Sequence, residues 1–315
     1  MAENGIRDDD ALLVYETDLG EAWQGDAIDV MEQHVADESV DLVMTSPPFA
    51  LQSPKEYGNE GQDTYVEWFM AFADEFWRVL KPTGSLVIDL GGAWEQGHPV
   101  KSLYAFELLI ALCRRPNRPF VLSQDFYWYN PARLPSPAQW VTIERKRAKD
   151  SVNYIWWLGK TADAKANNAN VLREYTSSMK KLIETGNYNR GKRPSGHNVG
   201  EGFTADKGGS IPPNILAVAN TGNDGGYLSA CRDQGIKPHP ARFPSDIPDF
   251  FIDFLTDPGD VVLDPFAGSN VTGASAEAKN RNWISIDLDL DYLTGSQARF
   301  EGLQGQLGEI PTDGS

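Results

Sequence analysis

Hydrophobic positions along the chain fall into short continuous runs and one long helical stripe, and this alternation predicts an α/β fold. Apolar runs at residues 40–44, 85–90 and 261–264 are typical of strands buried on both faces. Between the first two runs, aromatic and aliphatic residues recur at i, i+3, i+4 and i+7 spacing, which predicts an amphipathic helix over residues 63–80. We assign the apolar face of this helix entirely to the core.

Weaker patterns complete a mostly parallel sheet with helices on both faces. They predict, in chain order, a strand at 12–15, a helix that opens at 24–27 and runs to about 34, a helix at 102–113, a strand at 120–127, a helix near 246–255 and a last helix at about 289–300. Pro82-Thr83-Gly84 predicts a turn, and the loop from Ala50 to Gln62 is long enough for a functional lid. We expect residues 1–10 and the tail after Gly302 to be disordered.

The run Thr45-Ser46-Pro47-Pro48-Phe49 directly follows the first buried strand. Two consecutive prolines have no N–H groups and fix φ near −65°, so the backbone forms a stiff extended corner with outward-facing carbonyls. A serine hydroxyl, a proline carbonyl and an aromatic ring at these offsets can accept hydrogens from an amino group and stack on the flat ring that carries it. Taken alone, such a run more often marks an ordinary exit from a strand, and only a second motif, far along the chain, changes that interpretation.

A second motif, Val261 to Asn270, has the pattern of a strand and a glycine-bearing turn, and a helix and another strand follow it. Asp264 and Asp287 stand at the two strand tips, 23 residues apart, near the spacing at which a carboxylate binds a ribose diol. The glycine pattern differs from G-x-G-x-x-G, because Ala267 and Asn270 occupy positions where that fingerprint has glycine. A nucleoside site without a pyrophosphate cradle is therefore expected.

Two further aspartates are candidates for the same edge of the sheet. Asp89 ends the apolar run at 85–90 and is closely followed by Gly91-Gly92, at the strand tip where α/β sheets bind ligands. It is either functional or a structural cap. Asp26 follows Gly25 at a helix start, and it either caps the helix or faces a bound nucleoside.

Composition places the chain among globular proteins, with 41% hydrophobic and 23% charged residues over 315 positions. No apolar run approaches the roughly 20 residues of a membrane span, and the acidic, polar start is unlike a signal peptide. We therefore expect a cytoplasmic protein with no membrane partner. Two cysteines and four histidines, scattered along the chain, make neither a disulfide framework nor a metal site, so metal-free catalysis is expected.

Charge is segregated along the chain despite a net charge of −17. Residues 133–242 carry 17 Lys and Arg against 9 Asp and Glu, a net of +8, while the remainder holds 11 against 36, a net of −25. Such a basic segment is expected where a protein meets double-stranded DNA, although it could also be a solvated loop region. The predicted DNA-contacting residues are Arg145, Lys146, Arg147, Lys149, Lys180, Lys181, Arg190, Lys192 and Arg193.

Several motifs together resemble the β-class amino-methyltransferases of DNA, and in particular the PvuII-type cytosine-N4 enzymes of restriction-modification systems. The runs T-S-P-P-F-A-L, V-I-D-L-G-G, Y-W-Y-N-P, P-H-P-A-R-F-P and D-P-F-A-G-S-N-V-T-G occur in the order seen in that family. The resemblance implies a circularly permuted, Rossmann-like methyltransferase fold that uses S-adenosyl-L-methionine. It divides the chain into a catalytic half (1–135), a target-recognition region (136–235) and a cofactor half with a disordered tail (236–315). A cognate restriction endonuclease is implied as a partner in function, not necessarily in contact.

The resemblance also transfers site residues, motif by motif. Ser46, Pro47, Pro48 and Phe49 would form the catalytic corner. The cofactor pocket would draw on Asp26, Ala27, Thr45, Lys237, His239, Pro240, Phe243, Asp264, Phe266, Gly268, Ser269, Asn270 and Asp287. Asn270 departs from related adenine enzymes, which commonly have a second glycine there.

The chemistry of a cytosine 4-amino group explains why such a corner is needed. Its lone pair is delocalised into the ring, so a hydrogen-bond acceptor must draw the nitrogen toward tetrahedral geometry; Ser46 and the Pro47 carbonyl are suited to this. Asp89 is the candidate to orient Ser46 or to accept a proton through it. The base must be flipped out of the duplex, and Phe49 would stack on it. Cytosine-C5 methylation is excluded, because it needs a cysteine after a proline, and neither cysteine follows one.

Three alternatives remain open on the sequence. Adenine-N6 methylation shares the fold and the amine chemistry, although Ser46 stands where those enzymes usually carry aspartate. A protein or small-molecule methyltransferase would not need the +8 segment. A catalytically silent DNA-binding relative would not need intact Ser46, Asp264 and Asp287.

Overall fold

The structure is a computed structural model that describes residues 11–50, 60–186, 191–192, 198–199, 205–221 and 224–300. The predicted disordered ends and most of the predicted lid loop lie outside these residues. The chain divides into two compact units, one formed by Met1–Ala166 with Asn214–Ser315 and the other by Asn167–Pro213.

The larger unit contains both kinds of secondary structure in alternation. Its strands are β1 (Leu12–Glu16), β2 (Gly20–Gln24), β3 (Val40–Thr45), β4 (Leu80–Gly91), β5 (Val121–Tyr129), β6 (Val152–Gly159), β9 (Ile215–Ala217), β10 (Val261–Asp264) and β11 (Asn282–Asp287). Its helices are α1 (Ala27–His34), α2 (Tyr65–Val79), α3 (Tyr104–Arg114), α5 (Gly225–Gln234), α6 (Asp246–Leu255), α7 (Val271–Ala278) and α8 (Leu290–Ser296). A π-helical turn covers Gln139–Ile143, and a 3₁₀ turn, Gln297–Arg299, follows α8.

Within the described residues, nine strands form one sheet in the order β1-β2-β11-β10-β3-β4-β6-β5-β9. The central neighbours β2, β11, β10, β3 and β4 run parallel, as β5 and β9 do, whereas β1 and β6 run antiparallel to their neighbours. The predicted α/β class with a mostly parallel sheet is therefore confirmed.

Helices cover both faces of the sheet, because side chains alternate along each buried strand. On β4, Leu86, Ile88 and Leu90 face a core formed with α1, α2 and α3, while Val87 faces the opposite core. The opposite core also receives Leu42 of β3 and side chains from α6, α7 and α8.

Two features of the sheet differ from the expectation. The predicted turn at Pro82-Thr83-Gly84 is wrong: these residues lie within β4, which begins at Leu80, opposite Val40, and shifts its register before Ser85 pairs with Leu42. Strand β2 (Gly20–Gln24) was not predicted from the sequence, whereas α1 begins at Ala27 with Asp26 as its N-cap, as the predicted opening at 24–27 requires.

The smaller unit contains α4 (Ser177–Thr185), a 3₁₀ turn at Asn168–Val171 and a two-residue pairing of β7 (Gly191–Lys192) with β8 (Asn198–Val199). It is shorter than the segment 136–235 that the sequence assigns to target recognition. Strand β6 falls within that segment but pairs with β4 and β5 in the main sheet. The boundaries of the recognition region therefore stay a prediction.

No helix in the described part of the chain is both long enough and apolar enough to cross a membrane.

Candidate active site

The predicted functional carboxylates meet at the carboxyl ends of adjacent parallel strands. Strands β11, β10, β3 and β4 are neighbours in the sheet, and they carry Asp287, Asp264, the Ser46 corner and Asp89 at or near their carboxyl ends. Ligands of open α/β sheets bind at this edge. The topology thus brings together residues that lie up to 241 positions apart in the sequence.

Ser46 and Asp89 form a direct hydrogen bond at this edge. The Ser46 hydroxyl donates to Asp89 Oδ2 at 3.1 Å, and the Asn153 amide donates to both Asp89 oxygens at 3.1 and 3.3 Å. Asp89 is 2% exposed, and its burial raises its pKa to about 6, although these hydrogen bonds and the charge of Arg133 oppose the shift. Asp89 is therefore ionised at neutral pH but close to its protonation point.

Asp264 ties the catalytic corner to the glycine-bearing turn. Its Oδ1 accepts from the Thr45 hydroxyl at 2.8 Å and from the Phe266 amide at 3.1 Å, and its Oδ2 accepts from the Thr272 hydroxyl at 2.6 Å. The carboxylate is 1% exposed, and burial raises its pKa to about 6. The hydrogen bond between Asp264 and Thr45 therefore links the ends of β10 and β3, and neither residue lines the cavity.

Asp287 presents a carboxylate to the cavity from the end of β11. Its Oδ2 accepts from the Gly268 amide at 2.7 Å and its Oδ1 from the Asp289 amide at 2.9 Å, while burial raises its pKa to about 6. A carboxylate has about four lone-pair sites, so each oxygen can accept another hydrogen bond. Asp26 caps α1 by accepting from the Ile28 amide at 2.8 Å and also lines the cavity; that it faces a bound nucleoside stays a prediction.

A cavity of about 450 Å³ opens between these groups, within the range of about 300–1,000 Å³ of small-molecule sites. Its lining residues are Gly25, Asp26, Ala27, Ser46, Pro47, Pro48, Phe49, Glu60, Trp68, Phe72, His239, Ala241, Arg242, Phe243, Pro265, Phe266, Ala267, Gly268, Ser269, Val271, Asp287, Leu288, Asp289 and Tyr292.

The cavity suits a nucleoside that carries a diol and a flat ring. Trp68 and Phe72 of α2 meet Phe266 at ring-centroid distances of 5.7 and 5.0 Å and form an apolar wall, while Asp287 and Asp289 supply acceptors. Gly268 has φ +50° and a Cβ there would lie 3.0 Å from the His239 ring, so glycine allows the turn to approach that ring. Burial lowers the pKa of His239 to about 4, which leaves a neutral imidazole beside the cavity.

The structure does not place every predicted cofactor residue on the cavity wall. Thr45 and Asp264 lie behind it, and Lys237 and Pro240 are not among its lining residues. Asn270, which is fully buried, caps α7: its Oδ1 accepts from the Gly273 amide at 3.0 Å and from the Ser285 hydroxyl at 2.7 Å. Its Nδ2 donates to the Tyr15 hydroxyl at 2.9 Å. Asn270 therefore stabilises the turn from the protein interior and does not line the cavity.

The predicted DNA-contacting residues that the structure describes are exposed. In the larger unit, Lys146 pairs with Glu144 at 2.5 Å, Arg147 donates to the Pro99 carbonyl at 3.0 Å, and Lys149 donates to two backbone carbonyls. Lys180 and Lys181 are exposed on α4 of the smaller unit. Arg190, Arg193 and the side chain of Lys192 lie outside the described residues.

Some site residues were not predicted from the sequence. Trp68 and Phe72 belong to the stripe assigned entirely to the core, yet their rings also form the cavity wall. Tyr292, in an edge-to-face contact with His239, and Asn153 carry no motif of their own, since only pairing across the sheet brings them to the site. In the described residues no group of three His, Cys, Asp or Glu could hold a metal ion, and metal-free catalysis stays a prediction.

The fold and the site define an α/β enzyme that binds a nucleoside-type ligand at the carboxyl edge of its sheet, beside a Ser-Pro-Pro-Phe corner. Residues 40–298 match the family model described as DNA methylase, the N6/N4 methyltransferase family. The chain therefore belongs to the N6/N4 DNA methylases, and the predicted family is confirmed.

Individual relatives agree with this assignment. The chain is 47% identical to the type II methyltransferase M.PvuII of Proteus hauseri over 302 residues, which cover 95% of this chain and 89% of that protein. The solved structure of the cytosine-N4-specific PvuII DNA methyltransferase matches with a TM-score of 0.74 and 40% identity, over 96% of this chain and 90% of that one. A complex of M1.HpyAVI with SAM, 18% identical, shares the fold with a TM-score of 0.51 over 90% of this chain and all of that one.

Proposed function

We propose that this protein transfers a methyl group from S-adenosyl-L-methionine to the exocyclic N4 amine of a cytosine in a short double-stranded DNA site. The observation that carries the proposal is the Ser46–Asp89 hydrogen bond beside a nucleoside-sized cavity, in a chain 47% identical to M.PvuII. Each part of the reaction then has a residue suited to it.

Ser46 acts on the target amine as a hydrogen-bond acceptor. Its proton is donated to Asp89, so the lone pairs of its oxygen are free to accept from N4. With the Pro47 carbonyl, Ser46 draws electron density of the amine out of ring conjugation. Because this interaction strengthens as the nitrogen becomes tetrahedral, it lowers the barrier and does not merely tighten binding.

Asp89 is suited to receive, through Ser46, the proton that N4 loses. A pKa of about 6 keeps it ionised at neutral pH and close enough to that pH for efficient proton transfer. The N4 proton passes to Ser46 Oγ as the Ser46 proton passes to Asp89, so that no charge accumulates on the serine. No bond between enzyme and base is formed.

The cofactor is held by the residues that line the cavity. S-adenosyl-L-methionine supplies an electrophilic methyl group bound to a sulfonium sulfur. Asp287, whose carboxylate can accept further hydrogen bonds, would hold the cofactor's ribose diol, and the wall formed by Trp68, Phe72 and Phe266 would pack against its adenine ring. The neutral His239 and Gly268 close the turn beside it.

The target base is flipped out of the duplex to reach Ser46, and Phe49 stacks on it. Phe49 packs against the backbone of Gly91, where a Cβ would come within 2.5 Å of its ring, so the ring is held in place. Protection of a site from a cognate restriction endonuclease is the biological role that a type II methyltransferase implies.

Replacing Ser46 tests the proposal. Ser46→Ala should lower the rate of label transfer from methyl-labelled S-adenosyl-L-methionine to duplex DNA by about 10²–10⁴-fold, the usual contribution of a positioned acid or base. Cofactor and DNA affinities should stay near those of the parent protein. Phe49→Ala should instead weaken productive DNA binding by about 1–3 kcal/mol. Full activity of Ser46→Ala would overturn the mechanism.

A further inference from the structure

The hydrogen bonds at the catalytic corner continue behind Asp89 to a cation. Asn153 of β6, which lies opposite Gly91 of β4, is 5% exposed and donates through Nδ2 to both oxygens of Asp89. Its Oδ1 accepts from Arg133 Nη1 at 2.9 Å. Four side chains, Arg133, Asn153, Asp89 and Ser46, therefore form one continuous chain of hydrogen bonds.

The donors and acceptors of these four side chains allow the hydrogen bonds to run in only one direction, from Arg133 and Ser46 toward Asn153 and Asp89. A guanidinium has five donors and no acceptor, so Asn153 must turn its amide oxygen to Arg133 and its NH₂ group to Asp89. Both Asp89 oxygens then act as acceptors, which requires Ser46 to donate to Asp89. With the opposite amide orientation, two acceptors would face each other unless Asp89 were protonated, and the Ser46 hydroxyl could then turn its proton toward the target amine.

We propose that Arg133 and Asn153 are positioning residues that fix this direction, so that Ser46 always presents lone pairs, and never its proton, to the target amine. The inference rests on the proposed amine chemistry of Ser46 and extends it to two residues that act through Asp89 and not on the base or the cofactor directly. Arg133 suits the task because its charge is permanent, whereas a neutral partner would allow the Asn153 amide to flip.

The same hydrogen-bonded side chains also influence the pKa of Asp89. Arg133 and the donors Asn153 and Ser46 lower the pKa of the carboxyl group against the effect of burial. The other ionisable groups nearby are Tyr104 of α3, whose own pKa is raised in part by Asp89, and the Lys101–Asp150 ion pair, which lies against Gly92. Loss of Arg133 or Asn153 thus makes Asp89 easier to protonate, while these other groups stay the same.

The test uses three variants of the full chain. Single-turnover methylation of a cytosine-containing duplex at saturating DNA and S-adenosyl-L-methionine should be about ten- to a hundredfold slower for Asn153→Leu and Arg133→Met. The acidic limb of the rate profile should move to higher pH in both, because Asp89 is more easily protonated. Arg133→Lys, which keeps a cation without acceptors, should restore the rate to within about threefold and restore the pH profile.

The control is Arg118→Met, which removes an exposed arginine paired with Asp74, outside this chain of hydrogen bonds, and should leave rate and profile unchanged. Unchanged single-turnover rates and pH profiles in Arg133→Met and Asn153→Leu would overturn the proposal. A loss of DNA affinity and salt dependence alone in Arg133→Met would also overturn it, since Arg133 would then be a phosphate contact. If Asn153→Leu does not fold, the comparison of Arg133→Met with Arg133→Lys tests the proposal on its own. Wild-type protein that fails to methylate cytosine refutes the proposed function instead, independently of these variants.

Discussion

Three buried aspartates at the edge of the sheet have different hydrogen-bond partners but similarly raised pKa values. Burial raises the pKa of Asp89, Asp264 and Asp287 to about 6, above the ordinary value of 3.8. A raised pKa means that the folded state binds more protons, so each group's contribution to stability is complete below pH 3.8 and is lost as pH rises through 6. Relative to the protonated form below pH 3.8, ionisation of each carboxyl group by neutral pH therefore removes about 2–3 kcal/mol of stability.

Asp287 should be the residue on which cofactor affinity depends most simply. Asp287→Ala removes an acceptor for the ribose diol and should weaken S-adenosyl-L-methionine binding by about 1.5–3 kcal/mol, roughly ten- to a hundredfold. Isothermal titration calorimetry measures this directly. Asp291→Ala, which removes an exposed carboxylate four residues further on, is the matched control and should bind normally. Equal affinities of the two variants would remove Asp287 from the site.

The acidity of Asp287 predicts a pH dependence of the same affinity. As pH falls through about 6, the carboxylate is protonated and becomes a poorer acceptor, so cofactor binding should weaken by up to about tenfold per pH unit. Dissociation constants measured between pH 7 and pH 5 test this. Asp287→Asn should be weak and nearly independent of pH over that range; an equally steep dependence in Asp287→Asn would assign the titration to another group.

Among the secondary-structure elements, the turn between β10 and α7 depends on Asn270. This residue has φ +51°, which asparagine tolerates better than most side chains, and its side chain binds Gly273, Ser285 and Tyr15. Asn270→Ala should lower the free energy of unfolding by about 2–4 kcal/mol, from the lost cap, the lost buried partners and the strained backbone.

Urea denaturation of two variants separates these causes. Asn270→Gly relieves the backbone strain but not the lost hydrogen bonds, so its stability should lie above that of Asn270→Ala by about 1 kcal/mol. Equal stabilities of both variants and the parent protein would show that Asn270 does not stabilise the turn. If the variants lost only cofactor affinity, Asn270 would be a cofactor-binding residue, as the sequence predicted.

Elements with a local signal could be predicted from the sequence, and those that depend on distant partners could not. The stripe of α2 and the apolar runs of β3 and β10 carry their periodicity within a few residues. Strand β2, G-E-A-W-Q, lacks such a run and is a strand because it pairs with β11, more than 250 residues later. Strand β6 does contain an apolar run, Tyr154 to Leu158, but this run stands in the basic segment 133–242, which the sequence assigned to DNA contact and not to the main sheet.

The residues of the candidate site likewise fall into those that the sequence could predict and those that it could not. The Ser46 corner and the strand-tip aspartates could be located because motif and strand end coincide in the sequence. The sequence could not show that Trp68 and Phe72, among the residues of the apolar stripe of α2, line the cavity. Core packing and contact with a ligand both favour aromatic residues. Asn153 reaches Asp89 only through the pairing of β6 with β4, and Arg133 reaches Asn153 from the segment after β5, which pairs with β6; no local pattern specifies either pairing.

For the whole molecule, the segregation of charge predicts where DNA binds. A chain with a net charge of −17 needs a local concentration of cations to meet a phosphate backbone, and residues 133–242 hold a net of +8. Neutralising Arg145, Lys146 and Arg147 together should weaken DNA binding at every sequence. The slope of log affinity against log salt should fall by about 0.9 for each lost phosphate contact.

Binding isotherms at several salt concentrations measure this slope. Arg114 and Arg118 are exposed arginines outside the basic segment, and neutralising both provides the control, which should retain the parent slope. Lys146 already pairs with Glu144, so its share of the loss should be smaller than that of Arg145 or Arg147. A parent-like slope in the triple variant would show that this cluster faces solvent in the complex.

The identity of the methylated nucleoside tests the central claim most directly. Duplex DNA incubated with the protein and S-adenosyl-L-methionine is digested to nucleosides and analysed by mass spectrometry. We predict N4-methylcytosine as the product and no covalent trapping on DNA that contains 5-fluorocytosine, because no bond forms between enzyme and base. N6-methyladenine as the sole product, or 5-methylcytosine with a trapped adduct, would contradict it.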